Sequence, residues 1–512
     1  MCSTTVRREG DQVRSRRDVL GLGAGAALAV AGFGTTGAPP GPAWATLRRH
    51  LVGDLVLPSD PVYPRARQLA SGQYDAVRPA AVAYCASTQD VQTVIRFAGD
   101  AALHTVPRSG GHSFGGYSTT QGIVLDVSRL NRVAPRGRTV VAGPGAQQVD
   151  ALDRLAPYGL LLAGGVCPNV CLGGFTQGGG IGLFTRAYGL ALDRLRAATV
   201  VLADGRVVRA SRDEHPDLFW ALRGNGGGNV GVVTDYEIEP VHTETMTNYT
   251  LTWPLDAAPA VVDAWQRWAV GAPRALGASL GVLQADVSQP PWVSVYGAWH
   301  AAPDGLDRLL DQLVADVGAT PATRSVQTQT PYRAMMQWYG CADLSVEQCH
   351  RIGYSPEAAL PRSNYFATRN RMFTDPLSTS TLHRVLDSFA RDGRPGQFRL
   401  LFFEAVGGQP NTVARDATAY VHRDARLVAG YTIALTDAGY TPADRVAADR
   451  WLADGFAVLD RASTGESYQN FIDPALPDWS SAYYAENYPR LLDVKRRYDP
   501  HRFFHFAQGV GR

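Results

Sequence analysis

Lysine is almost missing from these 512 residues: Lys495 is the only one, and arginine supplies the other 48 of 49 basic side chains. Set against 47 acidic residues they leave a formal charge of +2, so there is neither a basic excess to neutralise a phosphate backbone nor an acidic tail. This balance argues against a nucleic-acid partner. Charged residues are sparse at 19%, whereas 45% are hydrophobic, a mixture that supplies large cores and excludes bulk disorder. Long apolar runs are equally scarce. The one candidate, residues 19–33, is shorter than the ~20 residues a spanning helix needs, which argues against a stable membrane anchor. Cysteines number six, and Cys167-x3-Cys171 has no second Cys or His pair at ligand spacing, so no metal is expected. What the chain has in quantity is glycine, 53 residues, and a length that points to roughly two to four domains.

The amino terminus reads as an address. Ser15-Arg16-Arg17-Asp18-Val19-Leu20 precedes the apolar run, and Ala43-Trp44-Ala45 offers the small residues a signal peptidase reads. The pattern over residues 1–45 resembles a twin-arginine export signal, with the export machinery as partner and a secreted product. Gly21-x-Gly23-x-x-Ala26 imitates a dinucleotide fingerprint, but Arg16 and Arg17 stand where its hydrophobic strand should be. This route usually carries folded proteins, often around a cofactor. Removing the segment takes Cys2 away and leaves five cysteines, of which Cys341 and Cys349 flank a short polar loop and look like a disulfide pair.

Further on, strand-like and helix-like segments alternate. Residues 81–85 read as a strand; Ser87, Thr88 or Asp90 then caps a helix with Val91, Val94, Ile95 and Ala98 on one face. Residues 122–127 read as a strand, 148–158 as a helix stopped by Gly159, and 199–211 as two strands joined at Asp204-Gly205. After about Val241 the glycine density drops and longer elements appear, such as 249–255, 261–268, 306–317 and 399–404. These predict an antiparallel sheet backed by helices. The stretch from Ser467 is rich in Tyr, Phe, Asn and Asp and is expected to pack back onto the first domain.

Three glycine clusters lie in the first half: Arg108-Ser109-Gly110-Gly111-His112-Ser113, a long loop from Gly164 to Gly182 that includes Gly173 and Gly174, and Gly224 to Gly231. Adjacent glycines expose successive backbone N–H groups at close range, which suits a pyrophosphate without requiring a lysine. Tight turns account for one such cluster more easily than for three. Together they point to one extended ligand.

The order Arg108-Ser-Gly-Gly-His112, Cys167-Pro-x-Val170, Gly178-Gly179-Gly180-x-Gly182, Tyr188-Gly-Leu-x-x-Asp193, Asp217-Leu-Phe-Trp-Ala-Leu-Arg-Gly224 and Gly228-Asn-x-Gly231-Val232-Val resembles the FAD-linked oxidases of the berberine bridge enzyme-like family. Asn487-Tyr-x-Arg-Leu, Val494-Lys495 and Tyr498-Asp-Pro500 are similar to that family's C-terminal module. The resemblance implies an α+β fold: a two-part FAD-binding domain of PCMH type, residues 54–241, with an inserted substrate domain, 242–466, and a C-terminal module, 467–512. It also implies FAD bonded through His112 and Cys167. A neutral imidazole and a thiolate are both nucleophiles able to add to an electron-poor ring. Val170 occupies the position where a valine goes with dioxygen access in the family. The implied activity is that of a secreted oxidase taking a hydride from a hydroxyl-bearing carbon of a small molecule, with dioxygen as acceptor and hydrogen peroxide as co-product.

Two positions depart from the family pattern. Phe175 replaces a histidine placed near the flavin, and Phe471, in Tyr468-Gln-Asn-Phe471, replaces the tyrosine that often acts as base. Tyr468, Tyr117 and Glu404 are the candidate bases left, taken in that order. A tyrosine needs its pKa lowered from ~10 to serve near neutrality. Asn487 and Tyr488 are expected at the flavin's polar edge or the substrate mouth. Trp265, Trp268, Trp292, Trp299 and Trp338 populate the substrate domain, where aromatic faces stack on sugar rings or fill the core. An oxidative cyclase or dehydrogenase of natural-product biosynthesis is the alternative enzyme reading. A flavin-holding protein without turnover is the third, prompted by the missing base.

Overall fold

The computed structural model describes residues 41–512, so the twin-arginine motif and the whole apolar run lie outside the described residues. Ala43-Trp44-Ala45 sits in the helix Gly41–His50, where Trp44 packs on Phe97 at 5.3 Å and Leu47 is buried. A cut there removes a residue that the fold packs. Among the described residues, no helix is long and apolar enough to cross a membrane.

Three sheets organise the chain. The first has four strands in the order Asp54–Val56, Ala81–Tyr84, Ile123–Asp126, Thr105–Arg108, the last three parallel. Its inner strands are short, apolar and covered on both faces, as parallel strands require. The crossover helix Thr88–Asp100 is capped by Ser87, whose side chain accepts from the Asp90 amide, and buries Val91, Val94, Ile95 and Ala98. Asp90 turns the other way and accepts from Val52, Gly53 and Ala86.

The second sheet is antiparallel, in the order Val133–Arg136, Thr139–Ala142, Val232–Ile238, Leu195–Val201, Val207–Ser211. Gly205 takes φ +79° in the turn between its last two strands. The helix Gln148–Leu155 tightens to a 3-10 turn and ends at Gly159, φ +64°.

Seven antiparallel strands form the third sheet, in the order Thr323–Gln329, Met246–Pro254, Trp292–Trp299, Leu276–Gln284, Gln397–Ala405, Leu427–Leu435, Tyr365–Phe373. Period-two alternation divides its faces. Leu401, Phe403, Ala405, Ala429, Tyr431 and Ile433 point into a core closed by helices Ala258–Gly271, Asp304–Val317, Thr379–Ala390 and Pro442–Asp460. Trp265, Trp268 and Trp299 belong to that core. Glu404 and Thr432, on the opposite face, look towards the glycine turns.

The C-terminal segment does pack back. Tyr483, Tyr484, Leu491 and Val494 share one core with helix Pro216–Leu222 and the second sheet. Lys495 is buried here, its ammonium donating to Asp499 at 2.7 Å and to the carbonyls of Asn229 and Phe504, each at 2.5 Å. Two arginines join the outer parts to the seven-stranded sheet. Arg423 binds Asp193 through two hydrogen bonds, at 2.9 and 2.7 Å. Arg186 donates to the carbonyls of Ala269, Ala272 and Gly407, the first of these in the last turn of helix Ala258–Gly271.

Candidate functional site

All three glycine turns open onto one cleft of about 360 Å³ between the first two sheets and the polar face of the third. The strand Thr105–Arg108 delivers the first turn. Arg108 itself points away, into a buried ion pair with Asp126 and a bond to the Ala66 carbonyl. Among the described residues, none of the amides of residues 109–113 donates to a protein acceptor. Gly111 adopts φ +69°, and its carbonyl accepts from Ala70 at 3.0 Å.

Helix Gln148–Leu155 holds the second turn: the amides of Gln148 and Val149 bond the carbonyls of Val170 and Pro168 at 3.1 and 3.0 Å. Close packing fixes the two turns against each other, since a Cβ on Gly110 would lie 3.0 Å from the Cys171 amide and one on Gly173 2.9 Å from Ser109 Oγ. Gly174, by contrast, faces open space at the cleft wall. Gly226, Gly227 and Gly228 of the third turn have φ of +85°, +82° and +68°, the left-handed region that favours glycine. Between the turns, Gln177 donates to Tyr236 at 3.0 Å and leaves its buried Oε1 without a partner. Unclaimed amides and an open glycine suit the pyrophosphate of a long ligand such as FAD, and the orphaned Gln177 oxygen suits a hydroxyl or N–H elsewhere on it.

His112, Cys167, Val170, Gly231 and Val232 line this cleft. Burial, reinforced by the Arg351 charge, pushes His112 down to about 4 against the opposing hydrogen bonds of Asn169, so its imidazole is neutral and nucleophilic at neutral pH. Cys171 differs in kind. Its thiol donates to the Gly145 carbonyl at 3.2 Å, and burial raises it far above the ordinary thiol range, which leaves it inert.

Tyr468, Tyr117 and Glu404 also reach the cleft. The Tyr468 oxygen accepts from the amides of Gly180 and Ile181 at 2.8 and 3.1 Å and from Asn470 Nδ2 at 2.9 Å. Burial nevertheless raises its pKa to about 12. Near neutrality it is therefore protonated, with three N–H donors converging on its oxygen. Tyr117, also pushed up to about 12 by burial, lies 5.2 Å from the Phe506 ring. Glu404 is half-buried, and burial lifts its carboxyl to about 7. Of the three it is the group poised to accept a proton near neutrality.

Glu404 lies at a junction. A second cavity, about 330 Å³, extends over the polar face of the seven-stranded sheet and shares Val166, Ser279 and Glu404 with the first. Trp292, Tyr296 and Trp338 supply aromatic faces in it. An amide ladder supplies its polar groups: Trp338 Nε1 donates to Asn248 at 2.9 Å, Asn248 to Gln337 at 2.8 Å, and Gln337 to Gln327 at 2.8 Å. Phe175 and Phe471 border the first cleft, Phe471 standing edge-on to Tyr468 with centroids 5.0 Å apart.

Several expected cofactor residues lie elsewhere. Asp193 is committed to Arg423 and to the Leu190 amide. Asn487 donates to the carbonyls of Arg415 and Thr418, and Tyr488 stacks on Tyr484, so both fasten the C-terminal segment and neither lines the cleft. Gly178, Gly179 and Gly180 act one step back. A Cβ on Gly178 would strike Asn470 and one on Gly179 would strike Tyr468, so these glycines let the Tyr468–Asn470 pair approach the loop. Cys341 and Cys349 are bonded. Sequence reasoning missed Arg351 and Gln177; nothing in their local patterns marks them.

A family model described as FAD binding domain matches residues 79–211, and one described as berberine and berberine like matches residues 467–511. The FAD-linked oxidoreductase YgaK of Bacillus subtilis, itself uncharacterised, is 30% identical over 476 residues, 90% of this chain and 98% of its own length. Glucooligosaccharide oxidase of Sarocladium strictum is 29% identical over 83% of this chain and 86% of its own. A solved structure of glucooligosaccharide oxidase from Acremonium strictum, with 6-S-cysteinyl, 8α-N1-histidyl FAD, is similar at TM-score 0.80 and 26% identity, covering 90% of this chain and 97% of that one. Two family models, a near-full-length relative and a cleft built for a dinucleotide agree: the chain belongs to the berberine bridge enzyme-like family of FAD-linked oxidoreductases.

Proposed function

We propose that this enzyme is an exported oxidase that removes a hydride from a hydroxyl-bearing carbon of a neutral carbohydrate, with FAD bonded through His112 and Cys167 and with dioxygen as acceptor. The observation that carries this reading is Glu404, a carboxyl with a pKa of about 7 shared by the dinucleotide cleft and the aromatic, amide-lined cavity. Gluco-, xylo- and chitooligosaccharide oxidases among the relatives, at 27–29% identity, support the substrate class.

FAD, when bound, supplies a two-electron acceptor for the hydride. The chain's own residues do the rest. Trp292, Tyr296 and Trp338 stack on the sugar face. Gln337 and Asn248, their amide orientations fixed by the ladder, bond its hydroxyls. Glu404 takes the hydroxyl proton as the C–H bond breaks. Phe175 and Phe471 keep water from the apolar side. Val170, on the cleft wall, leaves room for dioxygen.

Anaerobic mixing with cello-, xylo- and chitooligosaccharides tests this. One of them should bleach the flavin absorbance, and admission of air should restore it with one equivalent of peroxide. A flavin that no carbohydrate reduces but a non-sugar alcohol does would replace the substrate assignment, and one that nothing reduces would favour a binding protein.

A further inference from the structure

We propose that the dipeptide His350-Arg351, presented by the Cys341–Cys349 loop, is a positioning element that sets the separation of the two flavin-linking side chains. This rests on the attachment reading above, through His112 and Cys167.

The dipeptide bonds to the supports of both linking turns, one residue to each. His350 is buried, with acceptors at both ring nitrogens: Asp150 Oδ1 at 3.1 Å from Nε2 and the Glu347 carbonyl at 3.2 Å from Nδ1. Two acceptors define a doubly protonated ring paired with the Asp150 carboxylate. Asp150 belongs to the first turn of helix Gln148–Leu155, whose neighbouring amides at Gln148 and Val149 hold the carbonyls of Val170 and Pro168. Those carbonyls follow Cys167 by one and three residues in the same turn. The Tyr354 ring covers His350 in parallel at 4.2 Å and fixes its plane.

Arg351 reaches the opposite way. Its Nη1 donates to the Leu69 carbonyl at 2.6 Å, and the next amide, Ala70, donates to the Gly111 carbonyl at 3.0 Å, immediately before His112. Arg362 adds a second donor to Leu69, at 2.8 Å, and is anchored by two bonds to Asp75. Arg351 also lines the cleft with His112, near enough for its charge to act on the imidazole, and the cationic neighbours around it are Arg362, Arg108 and Arg65. The two linking turns come from different parts of the chain, and both meet the disulfide-closed segment of the inserted sheet domain. A one-residue step along that segment therefore defines how far apart the imidazole and the sulfur sit, and attachment needs that distance matched to the ring. Each attachment joins the side-chain atom to a flavin carbon, the 8α-methyl carbon for a histidyl link and ring C6 for a cysteinyl one, with loss of one hydrogen from each partner. The two electrons pass into the ring and then to dioxygen, which leaves as hydrogen peroxide.

Mapping flavin-bearing peptides by mass in the holoenzyme reads each linkage separately, without any substrate. Conservative variants preserve the fold, and melting curves verify it. Arg351→Gln should lower the fraction linked at His112 at least fivefold and leave the Cys167 linkage intact, whereas Arg351→Lys, which still reaches Leu69, should retain more than half. His350→Gln should do the reverse, lowering the Cys167 linkage selectively. Cys341→Ser with Cys349→Ser should lower both. Unchanged proportions in all variants, or a joint fall of both linkages in step with melting temperature, would overturn the proposal. A wild-type protein with neither linkage would instead overturn the attachment reading.

Discussion

Replacing Glu404 with Gln keeps the size and most of the packing of the side chain and removes its ability to take a proton. A positioned general base contributes about 10²–10⁴ in rate, or ~3–5 kcal/mol of barrier, so flavin reduction by a saturating oligosaccharide should slow by that factor with little change in binding. The wild-type reduction rate should rise with pH through about 7, as Glu404 ionises, and that limb should vanish in the variant. The same shift has a consequence for stability with the opposite sign. Unfolded, the carboxyl ionises near its ordinary 4.5; folded, near 7. Between these values the folded chain holds more protons than the unfolded one, so wild type loses stability as pH rises across the window, by up to ~3 kcal/mol and less where cavity water reaches the group. Gln carries no such penalty. Glu404→Gln should therefore be the slower enzyme and, above pH 7, the more stable protein, the difference closing by about pH 4.5. Stopped-flow reduction and urea titration at pH 5 and pH 8.5 check both halves. A variant that reduces within threefold of wild type, with the same pH limb, would show that the proton goes elsewhere.

Other outcomes follow from the same site. After acid precipitation, His112→Ala and Cys167→Ala should each keep yellow pigment on the polypeptide while the double variant releases it; colour released from wild type would refute attachment. Tyr468→Phe removes the acceptor of three buried N–H groups; at ~1–3 kcal/mol for a donor left unsatisfied, melting should show a loss of at least about 2 kcal/mol, with a slower reduction step. Lys495→Met leaves Asp499 buried without its partner and should cost about 3–5 kcal/mol, detected as a lower urea midpoint and weaker flavin retention; an unchanged midpoint would mean the C-terminal segment contributes little to holding the fold.

What the sequence disclosed was decided by local chemistry. Gly111 must adopt φ +69° and Gly110 must approach Cys171 closely, and both needs are written as missing side chains. The Ser87 cap and the Gly159 stop were legible for the same reason. The surroundings of the candidate bases were not. Two amides from a distant loop reach the Tyr468 oxygen, and Glu404 shares a sheet face with Thr432; neither neighbour is written in the local sequence. Asn487 and Asp193 were read as cofactor contacts because motif order carries no information about direction; their bonds go to Thr418 and Arg423. Arg351 carries no local mark, since its role depends on Leu69 from the far end of the chain.

The burial of Lys495 reaches beyond the hydrogen bonds around it. Reducing sugars and their oxidised lactones condense with or acylate free amines, so a catalyst working among them glycates itself wherever an ammonium is exposed; here the sole lysine is enclosed at 3% exposure. Among the described residues the thioethers follow the same rule, with Met246, Met335, Met336 and Met372 all buried in the cores and so shielded from oxidation to the sulfoxide. With arginine supplying every other basic side chain, an oxidase of the proposed class would present no lysine amine to an aldehyde or a lactone.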